Sequence, residues 1–283
     1  MAGNRDLRYA VHVSPSIPTA ISDLPPGVER RMWSPISSTL VYGERDAVLV
    51  DPVMTAQQAA ALADWVESFD RNLTTIYVTH GHGDHWFGLA TLLERFPNAR
   101  PVATPAVVEH MTKQMDPGFV ESFWNTRFPG QIPDRLVAAE PVEGTALELE
   151  DRELTIVPLG HTDTDDTTAL HVPSIGLVVA GDAAYNDVHL YLAESPREGR
   201  AAWKEAIDVI AGLDPAHVVA GHKRADRPDS PDILAETRGY IDDFEECVES
   251  TGSTEELYQA MLKIHPDRVN PGALWGSARS AKG

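Results

Sequence analysis

VTHGHGDHWFG, residues 78–88, sets three imidazoles and a carboxylate within six positions, straight after the apolar run LTTIYVT (73–79). Side chains this polar and this dense resist burial in an apolar core. They either stay in water or hold something positive. His80 and His82 are two apart, so on an extended segment they point the same way. Asp84 and His85 then start the turn into the helical stretch FGLATLLERF (87–96). Neutral imidazoles and a carboxylate are ligands that zinc, iron or manganese accept.

On the N-terminal side, STLVYGERDAVLVD (38–51) reads as two apolar strands around a glycine-containing turn, a hairpin. TAQQAAALADWVESF (55–69) has helical periodicity, and LTTIYVT is a short β-branched strand. PVAT (101–104) is a strand, and PAVVEHMTKQM (105–115) a helix with proline in its first turn. The second half keeps the style. LTIVPLG (154–160), TALHVP (168–173), GLVVAGD (176–182) and AHVVAGH (216–222) read as strands, and GRAAWKEAIDVIAGL (199–213) as an amphipathic helix. From Asp229 two more helices follow, within 229–265, the second opened by a capping box of Ser253 and Glu256. Strands and helices alternate in both halves, with polar residues at strand ends, which describes an α/β layer architecture carrying a site along one sheet edge. The hairpin and the lack of a G-x-G-x-x-G after a strand argue against a parallel dinucleotide-binding sheet.

The opening stretch supplies only four ligands, so a two-ion site needs others from afar. His161, Asp182 and His222 each end an apolar strand beside a glycine. The set HGHGDH at 80–85, GHT at 160–162, GD at 181–182 and GH at 221–222, in that order, resembles the metallo-β-lactamase superfamily over about residues 36–225. The resemblance implies a four-layer αββα sandwich spanning a single domain, 1–283, with a helical C-terminal extension. It implies that His80, His82 and His161 hold one ion, that Asp84, His85 and His222 hold a second, and that Asp182 bridges them. Asp51, ending AVLVD, matches an aspartate that orients a ligand histidine. The expected cofactor is two divalent metal ions, Zn2+ first, with Fe or Mn as alternatives.

Composition narrows the chemistry. The chain has 283 residues and a net charge of −20, a field that repels polyanions, so no nucleic-acid partner is expected. No run of about 18 apolar residues occurs, so no membrane partner is expected either. MAGNRDLRYAVHV lacks the apolar region of a secretory leader, and the single Cys247 excludes an intrachain disulfide, so a cytoplasmic setting is expected. The expected partner is a small-molecule substrate, with a homodimer as the oligomeric alternative to a monomer.

Two divalent ions sharing a hydroxide attack an electrophilic carbonyl, and Asp84 returns a proton to the leaving group. The expected function is thus hydrolysis of a small ester, lactone or thioester. A β-lactam-hydrolysing member is an alternative, against which Asp182 counts, because dedicated β-lactamases usually carry another residue at the matching position. A mononuclear iron enzyme resembling the persulfide dioxygenases of the superfamily is another, and a non-catalytic binder a third. Tyr185, three residues after Asp182, matches a tyrosine of acyl-homoserine lactonases that assists the carbonyl oxygen. After GHT, however, the run is DTDDTT (163–168) where those lactonases continue with Pro-Gly; Asp165 or Asp166 either orients a ligand or stays solvated. His189 and Asp187 lie close after Asp182 and either face the site or sit in the structure. DPGFVESFWNTRFPGQIP (116–133) places Phe119 and Phe123, and Trp124 and Phe128, four apart, giving two aromatic rows on a helix, one for packing and one for a lid over the cleft, within a candidate lid at 105–135. The proline-rich loop 21–33 is the candidate cover for the other side.

Overall fold

The computed structural model describes residues 7–283. The first six residues of the N-terminal stretch examined for a leader lie outside it. One sheet has the order β1 (Arg8–Ser14), β2 (Ile36–Tyr42), β3 (Asp46–Val50), β4 (Asn72–Tyr77), β5 (Arg100–Ala103) and β6 (Glu140–Pro141). The other is formed by β7 (Ala146–Leu149), β8 (Arg152–Gly160), β9 (Thr167–Val172), β10 (Leu177–Asn186) and β11 (His217–Lys223), with β11 at one edge and β7 at the opposite one.

The strands read as nearly continuous apolar runs because both faces are buried. On β3, Ala47 and Leu49 face α1 (Ala56–Glu67), α2 (Leu89–Arg95) and α3 (Pro105–Gln114), while Val48 and Val50 face the other sheet. β10 does the same in mirror fashion. Val178 and Ala180 pack with α5 (Arg197–Ala211), α6 (Asp232–Ser250), α7 (Thr254–Ile264) and α8 (Pro271–Lys282), while Leu177 and Val179 join the inter-sheet core. The outcome is helix, sheet, sheet, helix: the four-layer arrangement expected. Each fully buried large apolar side chain, Trp86, Phe87 and Trp203 among them, contributes about 1.5–3 kcal/mol.

Local signals hold the helices. Thr55 and Gln58 form a reciprocal capping box on α1, and Thr104 caps α3 with Pro105 in its first turn. Ser253 accepts from the Glu256 N–H at the start of α7. A short helix α4 (Pro117–Phe119) runs straight into a wide π-type turn, Val120–Asn125.

Four elements lie outside the sequence expectations: β1, β6, β7 and a last helix, α8. β1 pairs along β2 over its full length. The C-terminal extension does not end near residue 265 but adds α8, whose Leu274 and Ala278 are buried against the second helical layer.

The sheets are mixed, and their parallel pairs place the site. β3 and β4 run parallel, so Asp51 and Thr79 emerge at the same edge, tied by the Asp51 N–H to Tyr77 carbonyl bond of 2.9 Å. β10 and β11 run parallel as well, with Tyr185 opposite His222. Ser37 of β2 donates to the carbonyls of Ala220 and Gly221, and Thr168 donates to Thr79 O at 2.7 Å, pinning the two sheet edges together where the ligands sit. No helix among the described residues is long and apolar enough to cross a membrane.

Candidate metal centre

Four imidazoles converge, each with one nitrogen tied back into the fold. His80 Nδ1 lies 2.9 Å from Thr79 Oγ1, whose hydroxyl donates to Asp51 Oδ2 at 2.8 Å. His85 Nδ1 lies 3.2 Å from the same Asp51 Oδ2. His222 Nδ1 donates to the Pro35 carbonyl at 2.8 Å. These bonds hold Nδ1 of His80, His85 and His222, so that in the neutral rings Nε2 is the lone-pair nitrogen facing the centre. His82 is turned the other way: Nε2 meets Glu194 Oε2 at 3.3 Å, and Nδ1 faces inward. Asp51 thus sits behind the cluster as expected. Although it lies within reach of His80 and His85, its oxygens are already taken by Thr79 and His85 Nδ1, which makes it a support.

The carboxylates divide the donors into two groups. Asp84, His85 and His222 come together, with His222 Nε2 3.5 Å from Asp84 Oδ2. Asp182 stands against both histidines, Oδ1 3.2 Å from His85 Nε2 and Oδ2 3.2 Å from His222 Nε2. The other group is His80, His82 and Asp163, with Asp163 Oδ2 2.7 Å from His82 Nδ1 and 3.8 Å from His80 Nε2.

Six of the seven expected ligands are therefore brought together, and His161 is not among them. Its Nδ1 bonds Asp165 at 2.6 Å and its Nε2 lies 3.2 Å from Ser195 Oγ, against Gly199. Asp163, two residues further along the loop that follows β8, is the side chain that lies beside His80 and His82, with an exposure of 0%. The signal was DTDDTT, the run where the sequence departs from the Pro-Gly pattern. Asp165 orients His161, and Asp166 is exposed with φ 59°. His189 turns away, buried and bonded to Tyr240 Oη at 2.9 Å, and Asp187 pairs with Arg224 and Arg227. Tyr185 is buried, and its hydroxyl donates to Asp182 Oδ2 at 2.7 Å. Trp33, missed in the sequence, donates from Nε1 to Asp84 Oδ2 at 2.9 Å.

The donor set fits metal ions. His80 Nε2, His85 Nε2, Asp163 Oδ2 and Asp182 Oδ1 are buried and make no hydrogen bond of adequate geometry. A buried polar atom left so costs about 1–3 kcal/mol, and four aimed at one another make a site for cations. Burial, with the neighbouring His85, pushes His80 down to about 3, so it is neutral. Burial also opposes protons on His82 and His85, but Asp163 and Glu194 outweigh it for the first, and Asp182 and Asp84 for the second, raising both. These two histidines would give up those protons to hold a cation.

The backbone is shaped to the same end. A Cβ at Gly221 would run into Asp182 Oδ1, so only glycine leaves room for that carboxylate against His85 and His222. Val53, buried and β-branched, has φ 52°, a conformation costing about 1–3 kcal/mol. Its carbonyl accepts from Gly88 N–H at 3.0 Å, which locks the loop carrying Asp51 against the end of the metal motif.

Above the ligands lies a cavity of about 370 Å³. His82, Asp84, Asp163, Asp182, Tyr185 and His222 form one end. Trp33, Phe119, Phe123 and Trp124 form an aromatic wall, and Phe128 packs beneath it at 0% exposure. Of the two aromatic rows, Trp124 and Phe128 pack down, while Phe119 and Phe123 stack at 5.1 Å and stay partly exposed. The loop 21–33 and α8 complete the enclosure through Arg31, Gly272 and Arg279.

The four-layer αββα sandwich carries paired histidine–aspartate clusters at one sheet edge. The chain belongs to the metallo-beta-lactamase superfamily, whose family model matches residues 31–222. A hydroxyacylglutathione hydrolase from Synechocystis sp. is 31% identical over 118 residues, 41% of this chain and 35% of that protein. The chain thus spans about a third of the length of this curated relative. Among solved structures, a metallo-beta-lactamase family protein from Thermus thermophilus aligns with a TM-score of 0.63 at 18% identity, covering 96% of this chain and 91% of that one. A metallo-beta-lactamase from Pontibacter korlensis aligns at 0.59 and 14% identity, covering 81% and 99%. At such identities the likeness is one of fold.

Proposed function

We propose that the protein is a dinuclear metal-dependent hydrolase of a small carboxylic ester, lactone or thioester, with zinc as the metal. The observation that carries this reading is the pair of buried donor groups at the floor of an aromatic cavity. Two divalent ions, when bound there, supply Lewis acidity at a carbonyl and a water whose pKa falls toward neutral.

The chain's own residues do the rest. His80, His82 and Asp163 would hold one position and Asp84, His85 and His222 the other, with Asp182 set against His85 and His222. Asp51 locks the rings of His80 and His85. Tyr185 keeps the Asp182 carboxylate in place by donating to it, which is a positioning role in place of the oxyanion contact expected from sequence. Asp84, steadied by Trp33, would take a proton from the attacking water and pass it to the departing alkoxide or thiolate. Trp33, Phe119 and Phe123 exclude water and orient an apolar acyl portion. The relative named for hydrolysing hydroxyacylglutathione supports an acyl substrate. The free and buried Cys247 is consistent with a cytoplasmic setting.

The test is turnover of a panel of lactones and thioesters by metal-replete protein, with His82→Ala as control. Turnover at least about a hundredfold above the control is expected; none on any member refutes the reading. Metal content decides the alternative, which the two-histidine, one-carboxylate set of His80, His82 and Asp163 favours. Two zinc ions per chain support hydrolysis; one iron with oxygen uptake supports an iron oxygenase.

A further inference from the structure

One part of the cavity lining is cationic, in a protein that is otherwise strongly acidic. Arg31, Arg127 and Arg279 line it against a single aspartate, Asp23. Asp23 Oδ2 takes Arg279 Nη1 at 2.6 Å and Arg31 Nη1 at 3.4 Å, so one carboxylate serves two guanidinium groups. Arg31 spends Nη2 on the Gly272 carbonyl at 2.8 Å.

Arg127 has no carboxylate partner among the described residues. Its one hydrogen bond runs from Nη1 to the Phe123 carbonyl at 2.9 Å, and its guanidinium lies 3.7 Å from the Phe123 ring centroid. It is half-buried, and burial together with the nearby Arg31 lowers its pKa, the mark of a cation short of counter-charge. Desolvating a cation without a carboxylate partner is expensive, and an anion bound beside Arg127 would offset that cost. Its position is held as well. The loop at 19–20 grips both arginines by their backbones: Thr19 N–H donates to Arg31 O at 3.0 Å and Ala20 N–H to Arg127 O at 2.9 Å.

We infer that this part of the lining is a carboxylate subsite, and that the substrate is a bifunctional acyl compound whose scissile carbonyl meets the metal ligands while a distal carboxylate reaches Arg127 and Arg31. The planar guanidinium fork matches a carboxylate in two parallel hydrogen bonds, and stacking on Phe123 holds the Arg127 plane in one orientation. The aromatic wall takes the apolar spacer. A cavity of about 370 Å³ suits a molecule of drug-fragment size. The overall charge of −20 does not forbid an anion, because charges beyond about 8–10 Å are screened by physiological salt.

The kinetic arm of the test rests on the hydrolase reading, and the binding arm does not. Two thioesters of N-acetylcysteamine serve as probes, para-carboxyphenylacetyl and its para-carbamoyl isostere, which differ in charge at one end. Metal-replete wild type is expected to favour the carboxylate by roughly tenfold or more in kcat/KM, and Arg127→Met to bring the ratio close to one. The ratio is internal to each variant, so a partly folded sample does not distort it. Arg127→Lys, which keeps the charge and loses the fork, should fall between. In the binding arm, para-carboxyphenylacetamide quenches the fluorescence of Trp33 and Trp124 in metal-loaded protein, with a Kd about tenfold weaker in Arg127→Met. If neither thioester is cut, the hydrolase reading fails for them and the binding arm still decides. A wild-type ratio near one, or equal Kd in wild type and Arg127→Met, overturns the carboxylate subsite.

Discussion

Replacing Asp163 by asparagine separates two ways of building the first metal position. Asp163 is fully buried, with Oδ2 2.7 Å from His82 Nδ1 and 3.8 Å from His80 Nε2. Asparagine keeps the shape and removes the charge. Losing a partner one shell further out costs 10–100-fold in metal affinity, so a directly facing carboxylate should cost about 100-fold or more, equivalent to about 2.7 kcal/mol. His161, by contrast, bonds Asp165 and Ser195 and faces away. His161→Ala should therefore change affinity by no more than about threefold, within a few tenths of the energy of one metal ligand. The assay is zinc competition against a chromophoric chelator, with metal content measured after dialysis. Wild type and His161→Ala should keep two ions per chain, and Asp163→Asn one. If His161→Ala loses an ion while Asp163→Asn retains both, the reasoning is refuted, and the loop after β8 must turn over when metal arrives.

Asp51→Asn removes the acceptor shared by Thr79 and His85 Nδ1, and should weaken metal binding about 10–100-fold while leaving the far-UV circular dichroism unchanged. Gly221→Ala forces a Cβ against Asp182 Oδ1 and should cost about 1–3 kcal/mol in urea unfolding; wild-type stability would contradict it. His189 is buried, and burial, aided by Arg268 and His265, lowers it to about 3. Its folded pKa lies below the unfolded value near 6.5, so the unfolded chain binds the proton first and stability falls as pH drops through that window. Unfolding free energy should therefore decline by about 1.4 kcal/mol per pH unit less steeply in His189→Gln than in wild type between about pH 6 and 4. Equal slopes would show that His189 is not held neutral.

The strand-end ligands were legible because imidazoles and carboxylates at the ends of apolar strands have few other uses, and glycine beside each announces a close approach. Asp163 was hidden by the same logic. GHT and the following DTDDTT offer a histidine and three aspartates on one loop, and only the path of that loop past Ser195 and Gly199 decides which turns inward. The apolar runs gave an α/β layer architecture, their lack of alternation reflecting burial on two faces, and the four-layer sandwich came from the family resemblance. α8 escaped because NPGALWGSARSAK is rich in small residues and shows little apolar periodicity; Pro271 in its first turn was the available sign. The cationic part of the cavity lining escaped too. Arg31, Arg127 and Arg279 are scattered along the chain, and no spacing links them.

The Arg31–Gly272 and Asn270–Ser34 bonds join a loop before β2 to the residues that open α8. Every metal ligand has been synthesised by His222, yet the wall facing the ligands needs Asn270 through Arg279. During vectorial synthesis the reactive floor can therefore form before the room that selects what reaches it. Long-range contacts of this kind form slowly, because loop-closure entropy comes before their reward. A nascent chain halted between these points would carry every candidate ligand without the wall that faces them.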